Sequence, residues 1–175
     1  QGKIQSMVIA MPCGHPLPID RKRRFDDYAA QNLDAMEQDL LQDLLPYLQR
    51  QYRLEEGPER RAIVGLSMGG GQSPTTGLKH LDKFAWIGGF SSATPQEDLE
   101  RKFAGLLEDM PATNEQRKLL WIACGRDDFL FERNEQFAGW LRNRGIRHTY
   151  HRTDGGHDWI VWRTYLAEFL PLLFR

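Results

Sequence analysis

The hydrophobic pattern of this chain changes period several times, and each change marks an element. Met7-Val8-Ile9-Ala10-Met11 is a short continuous apolar run closed by Pro12, Gly14 and Pro16. It predicts a buried strand followed by a loop. From Phe25 to about Tyr52 the apolar positions Leu33, Met36, Leu40, Leu44 and Leu48 recur every three or four residues. That spacing, with Asp and Glu between, predicts one face of a helix. Pro46 lacks an amide hydrogen, so the last turns of this helix should kink or split. Ala62-Ile63-Val64, Phe84-Ala85-Trp86-Ile87 and Leu119-Leu120-Trp121-Ile122-Ala123 predict three more strands. Residues 95–108, with Thr94 as N-cap, and residues 131–144, with Gly145 as C-cap, predict helices. Residues 148–152 form a more polar run, as an edge strand would. The last helix should run from about residue 159 to 174, with Pro171 disturbing its end.

Strands thus alternate with helices from start to finish. Short, continuously apolar strands suit a parallel sheet covered by helices on both faces, an α/β fold. No repeat, low-complexity segment or internal linker interrupts residues 1–175, which reads as one domain. With 175 residues, 41% of them hydrophobic, the chain has room for a single core. The formal net charge of −1 gives no reason to expect nucleic acid or an anionic membrane as partner. No apolar run is long enough to span a bilayer. The basic cluster Arg21-Lys22-Arg23-Arg24 reads as a solvated loop. Cys13 and Cys124 are too few for a disulfide framework or a zinc site. Each sits near the end of a predicted strand and reads as a buried free thiol, although two parallel strands are able to bring such thiols close. Gln1 is not a start methionine, so the chain is expected to begin inside a longer gene product.

Chemistry enters at Gly65-Leu66-Ser67-Met68-Gly69, directly after the strand at Ala62-Ile63-Val64. This matches the Gly-x-Ser-x-Gly nucleophile elbow, in the strand-to-helix context that the motif demands. The tight turn forces the serine into a strained backbone conformation and leaves its oxygen exposed. Glycine is expected at both flanking positions because a side chain there would collide with neighbouring elements. The following helix points its N-terminus at the same place, favouring developing negative charge. The Met68 backbone N–H is expected to donate one oxyanion hydrogen bond.

A serine hydroxyl needs a base, and the base needs an orienting carboxylate. The α/β-hydrolase chain order is serine, acid, histidine. His148 and His151 lie in the predicted edge strand. His157 follows Asp154-Gly155-Gly156 in a loop past that strand, where it can reach the sheet edge, so it is the expected base. For the acid, Cys124-Gly125-Arg126-Asp127-Asp128 follows the fourth predicted strand. Position alone leaves both Asp127 and Asp128 open.

These segments resemble the esterase family that includes feruloyl esterases, acetyl-xylan esterases of carbohydrate esterase family 1 and enterochelin-esterase-like proteins. The matching residues are Met11-Pro-Cys-Gly-His15, Arg61-Ala-Ile-Val-Gly-Leu-Ser-Met-Gly-Gly70, Phe84-Ala-Trp-Ile-Gly-Gly-Phe-Ser91, Ala123-Cys-Gly-Arg-Asp-Asp128 and Gly155-Gly-His-Asp-Trp-Ile-Val-Trp162. The resemblance places the acid at Asp128 and the base at His157. It implies an α/β-hydrolase fold, hydrolysis of feruloyl or acetyl esters on plant-wall polysaccharide through an acyl-enzyme, no metal or cofactor, and a secreted or periplasmic setting. It also implies an upstream strand and a His-Gly-Gly-type loop with no counterpart here, so the fold is expected to be N-terminally truncated. Either the chain is a fragment, or its sheet has closed up, or a homo-oligomer or companion segment fills the gap.

Trp159, Trp162, Phe129 and Phe131 lie near the predicted site in sequence, and Trp159 and Phe129 are the candidates for a substrate-binding pocket. The rival readings are a non-catalytic glycan- or partner-binding remnant of the fold, and an enterochelin-type esterase or acyltransferase.

Overall fold

A computed structural model describes residues 4–18, 25–94 and 99–175, with the side chains of 25–27 undescribed. Its described residues fall into two compact units, one of Met7–Glu56 and one holding Gly57–Arg175.

In the first unit, residues 7–18 are coil. The expected strand at Met7–Met11 is therefore not formed, and its side chains are not buried: Ile9 is 63% and Met11 89% exposed. A continuous apolar run becomes a buried strand only when a neighbouring strand takes its backbone groups, and none does so among the described residues. Cys13, expected to be buried, is accordingly exposed. The cluster at 21–24 lies outside the described residues. The expected long helix exists in pieces: α1 (Phe25–Gln38), a π-helical stretch (Asp39–Leu44) and α2 (Leu45–Gln51). The wide turn brings the Leu45 N–H to the Leu40 carbonyl, five residues back. It stands just before Pro46, whose ring cannot approach the carbonyl four residues earlier in an α-helix. Tyr28 ties the preceding loop to α1, its hydroxyl lying 2.8 Å from His15 Nδ1 and 3.2 Å from the Leu17 carbonyl oxygen.

The second unit is built on four parallel strands in the order β1 (Ala62–Leu66), β2 (Trp86–Phe90), β3 (Leu119–Gly125) and β4 (Thr149–Thr153). Each crossover carries helix: α3 (Met68–Lys79); then α4 (Leu99–Lys102), α5 (Ala104–Glu108) and α6 (Met110–Gln116); then α7 (Phe131–Asn143). The last helix, α8 (Trp159–Phe169), is followed by a 3-10 turn at Leu170–Leu172 around Pro171. Three boundaries differ from the sequence expectation. β2 begins later and holds Gly88 and Gly89 inside the strand. His148 precedes β4 rather than opening it. The helix expected over 95–108 is two short helices, and its first residues, 95–98, lie outside the described set.

Helices cover both faces of the sheet. On one face Ile87, Leu120 and Ile122 join Leu78 of α3, Phe103, and Phe137 and Leu141 of α7 in one buried cluster. On the other, Phe90 and Trp121 meet the rings of Tyr165 and Phe169 from α8 at 5.7–5.8 Å. β2 and most of β3 are fully buried, whereas β4 is half-buried and polar, as its edge position requires. β1 is only half-buried and pairs with β2 alone among the described strands. The carboxyl ends of β1, β3 and β4 point the same way, so the loops after them share one edge.

Candidate active site

The elbow is formed as its spacing predicts. Ser67 stands between β1 and α3 with φ 54° and ψ −116°, a conformation costing a non-glycine residue about 1–3 kcal/mol. Neighbouring backbone holds it there. Its N–H donates to the Phe90 carbonyl at 2.9 Å, and its carbonyl accepts from Ala93 N at 2.9 Å and Gly71 N at 3.1 Å. A methyl group on Gly65 would lie 2.3 Å from the Gly69 backbone, so glycine is obligatory at Gly65. Gly69 behaves differently: a methyl group there meets nothing within 4 Å. The expectation that both flanking glycines avoid a collision therefore holds for one of them. Met68 is the first residue of α3, which places its N–H at the helix's electropositive end beside Ser67.

The structure brings three side chains together across long stretches of sequence. His157 Nε2 lies 2.9 Å from Ser67 Oγ, and His157 Nδ1 lies 3.0 and 2.9 Å from the two carboxylate oxygens of Asp128. An ionised carboxylate only accepts, so Nδ1 carries the proton and Nε2 is left to accept from the serine hydroxyl. The Asp128 side chain is fully buried, and Oδ1 also accepts the Leu130 N–H at 2.8 Å. Asp127 is exposed and contributes its backbone instead, donating from N to the Gly155 carbonyl at 3.1 Å. Beside Asp128 sits the buried Cys124 thiol, pushed up to about 12 by burial first and by the Asp128 charge second.

The loop that carries His157 is set by local chemistry. Gly155 takes φ 99°, a left-handed value that suits glycine. Asp158 caps α8 by accepting from the N–H groups of Ile160 and Val161 at 2.8 and 3.1 Å. This cap was not among the sequence expectations, although an aspartate just before Trp159-Ile160-Val161 is a recognisable start signal. His148 and His151 take no part: His148 Nδ1 lies 2.8 Å from the Ile146 carbonyl, and His151 pairs with Glu168.

Aromatic side chains surround the imidazole. Phe129, 77% exposed, has its ring centroid 4.5 Å from that of His157. Trp162 is buried and meets the imidazole edge to face at 4.8 Å. Trp159, 66% exposed, packs against Trp162 at 5.3 Å. Phe131 is half-buried at the start of α7. Two clefts of about 480 and 420 Å³ lie elsewhere and hold none of the residues named around the imidazole. Among the described residues no group of three or more His, Cys, Asp or Glu is arranged to hold a metal ion, and no helix is long and apolar enough to cross a membrane.

Comparison with known proteins places this chain in a family. Residues 2–173 match the profile of the family described as Putative esterase. The chain belongs to that family. Within the esterases, it is 28% identical over 160 residues to an acetyl esterase of Caldicellulosiruptor saccharolyticus, covering 72% of this chain and 59% of that protein. A solved ferulic acid esterase is 31% identical, with a TM-score of 0.66 over 77% of this chain and 59% of its own. The CE1 ferulic acid esterase of Anaeromyces mucronatus is 22% identical, with a TM-score of 0.76 over 99% of this chain and 66% of its own. This last likeness is one of fold. The chain thus spans about three-fifths of the first two relatives, 59% in each case.

Proposed function

We propose that this chain is a serine carboxylic-ester hydrolase working through an acyl-enzyme, with Ser67 as nucleophile, His157 as base and Asp128 as orienting acid. One observation carries the reading: a continuous hydrogen-bonded chain from Ser67 Oγ through both imidazole nitrogens to a buried carboxylate, starting at a serine with φ 54°. A structural serine needs neither the strained backbone nor a base aimed at its oxygen.

His157 Nε2 takes the Ser67 proton as Oγ forms a bond to the ester carbonyl carbon. The carbonyl electrons move to oxygen, and that oxyanion accepts from the Met68 N–H at the α3 N-terminus. The tetrahedral centre then expels the alcohol, which leaves with the proton from Nε2, and the acyl group stays on Ser67. Water repeats the sequence: Nε2 takes its proton, its oxygen attacks the acyl carbon, and the serine recovers the proton as the acid departs. Asp128 holds Nδ1–H and stabilises the imidazolium formed in both halves.

The substrate class we read is a feruloyl or acetyl ester carried on plant cell-wall polysaccharide. The names of the acetyl and ferulic acid esterase relatives support the acyl part of this reading, as does the exposed Phe129 ring against His157, which gives an aromatic acyl group a face to stack on. The test is turnover of a methyl hydroxycinnamate and of 4-nitrophenyl acetate by the chain and by Ser67→Ala. Turnover that disappears with the serine oxygen is expected. Equal turnover by both proteins would sink the assignment.

A further inference from the structure

The three residues that follow β2 grip all three parts of the site. Ser91, fully buried, stands at φ 45°, another left-handed value on a non-glycine residue. Its N–H donates to the Ala123 carbonyl at 2.7 Å. Its Oγ accepts the indole N–H of Trp162 at 2.9 Å. Ser92 exchanges two hydrogen bonds with the fully buried Asn134 side chain: its N–H donates to Oδ1 at 3.0 Å and its carbonyl accepts from Nδ2 at 3.1 Å. The same Nδ2 donates to the Leu130 carbonyl at 2.8 Å, and Leu130 N–H donates to Asp128. Ala93 N–H holds the carbonyl of Ser67. The segment is thereby fixed to the acid loop and to the nucleophile before it reaches Trp162.

Trp162 is the link to the base. Its ring meets the imidazole of His157 edge to face with the planes at 90°. An imidazole hydrogen-bonded at both nitrogens still has a tilt about that axis to settle, and a packed indole settles it. The indole in turn has its own rotation fixed by the N–H to Ser91. The backbone at Ser91 is strained to present that oxygen, and strain of this kind persists only where surrounding structure over-determines it.

We propose that Ser91 and Trp162 are positioning residues: the Trp162 N–H to Ser91 Oγ bond locks the indole that sets the plane of His157. The inference rests on the serine-esterase reading for its kinetic consequence, though not for its geometry. A merely structural role is the rival, and Ser91→Gly separates the two. Glycine suits φ 45°, so this variant relieves backbone strain while deleting the acceptor oxygen.

The experiment compares the chain with Ser91→Gly, Trp162→Phe and the double variant. Active sites are titrated with a fluorophosphonate probe, and kcat and KM are taken per titrated site on a methyl hydroxycinnamate. The Cε1–H resonance of His157 is followed by NMR. For Ser91→Gly the relief of backbone strain is set against a buried indole N–H left without its acceptor, so the expected result is a Tm lowered by a few degrees at most, with kcat per site down about tenfold and KM within about twofold. The His157 resonance moves, because the indole ring above it has shifted. The double variant is no slower than the worse single variant, since both changes remove one bond. An unmoved His157 resonance with unchanged kcat per site overturns the proposal, and so do losses that multiply in the double variant. Should Trp162→Phe fail to fold, Ser91→Gly decides alone. If the parent shows neither Ser67-dependent turnover nor probe labelling, the esterase reading fails, and the His157 resonance in Ser91→Gly still decides the positioning claim.

Discussion

Gly125 and Gly155 touch backbone to backbone: a methyl group on Gly125 would lie 2.0 Å from the Gly155 carbonyl oxygen. Gly125 ends β3 three residues before Asp128, and Gly155 stands two residues before His157. The same carbonyl accepts the Asp127 N–H, and Arg126 N–H donates to the Thr153 carbonyl at 2.9 Å. The loops carrying Asp128 and His157 are therefore one hydrogen-bonded unit, and it is across this unit that the carboxylate and imidazole lie 2.9 Å apart.

Gly125→Ala should force these loops apart. The clash is with backbone and is tighter than the one at Gly65, so we expect stability to fall by more than about 3 kcal/mol, beyond the usual range for overpacking a core, with the activity of any remaining folded protein falling as well. Thermal melts paired with kinetics per titrated site would check this. A fully active Gly125→Ala protein would show that the loops can separate without disturbing the site.

The elbow glycines should respond in opposite ways. Gly65→Ala meets the Gly69 backbone at 2.3 Å and should abolish activity or folding, whereas Gly69→Ala enters open space on a helix. The second change should be tolerated and add up to about 1 kcal/mol through helix propensity. Denaturant unfolding of the two variants measures the contrast.

Asp128→Asn keeps the shape of the side chain but can offer an N–H where His157 Nδ1–H now donates, so the imidazole would adopt the wrong tautomer. A fall in kcat of about 10⁴-fold is expected on the pattern of serine hydrolases. Asp127→Asn, changing an exposed side chain whose backbone does the bonding, should alter kcat little. Comparable losses in both variants would put the acid assignment in doubt.

Phe129→Ala removes a ring that is mostly in solvent yet lies 4.5 Å from the imidazole. Stability should change by no more than about 0.5 kcal/mol, as for other surface positions. KM for the hydroxycinnamate ester should rise several-fold while KM for 4-nitrophenyl acetate changes less. Equal effects on both esters would remove Phe129 from the acyl-binding surface.

The two thiols should differ in reactivity. Exposed Cys13 should react with a thiol reagent in the native protein, and buried Cys124, held up to about 12, should react only on unfolding. Tyr165 is likewise pushed up to about 12, by burial. Both groups have native values above their unfolded ones, near ~8.5 for cysteine and ~10 for tyrosine. Their contribution to stability is thus complete below those unfolded values and is lost as pH rises toward about 12. Stability measured against pH should decline above about 8.5, and Cys124→Ser should flatten the first part of that decline.

Much of the candidate site's geometry was legible from local sequence because its parts are local devices. The elbow announces itself because one tight turn dictates glycine at Gly65 and a short strand before Ser67. His157 was legible from its loop position after a polar edge strand. The choice between Asp127 and Asp128 was not: adjacent residues at a strand end point in different directions, and only the turn through Gly125 decides which enters the interior. Ser91 enters the sequence reading only as the end of a matching segment, because a serine after a strand is common and its partner is an indole 71 residues away. Met7–Met11 shows the same limit in reverse, since an apolar run with no ladder partner among the described residues has no strand to join.

The sequence by itself determined the alternation of strands and helices, the strained serine at its elbow and the candidate base, because period, glycine placement and caps act over a few residues. Only the tertiary structure decided the strand order, the hydrogen-bonded line from Ser67 through His157 to Asp128, and which apolar runs are buried. Those depend on contacts across up to 90 residues of chain, where the free energy of packing and of pairing backbone groups, rather than any local preference, selects the arrangement.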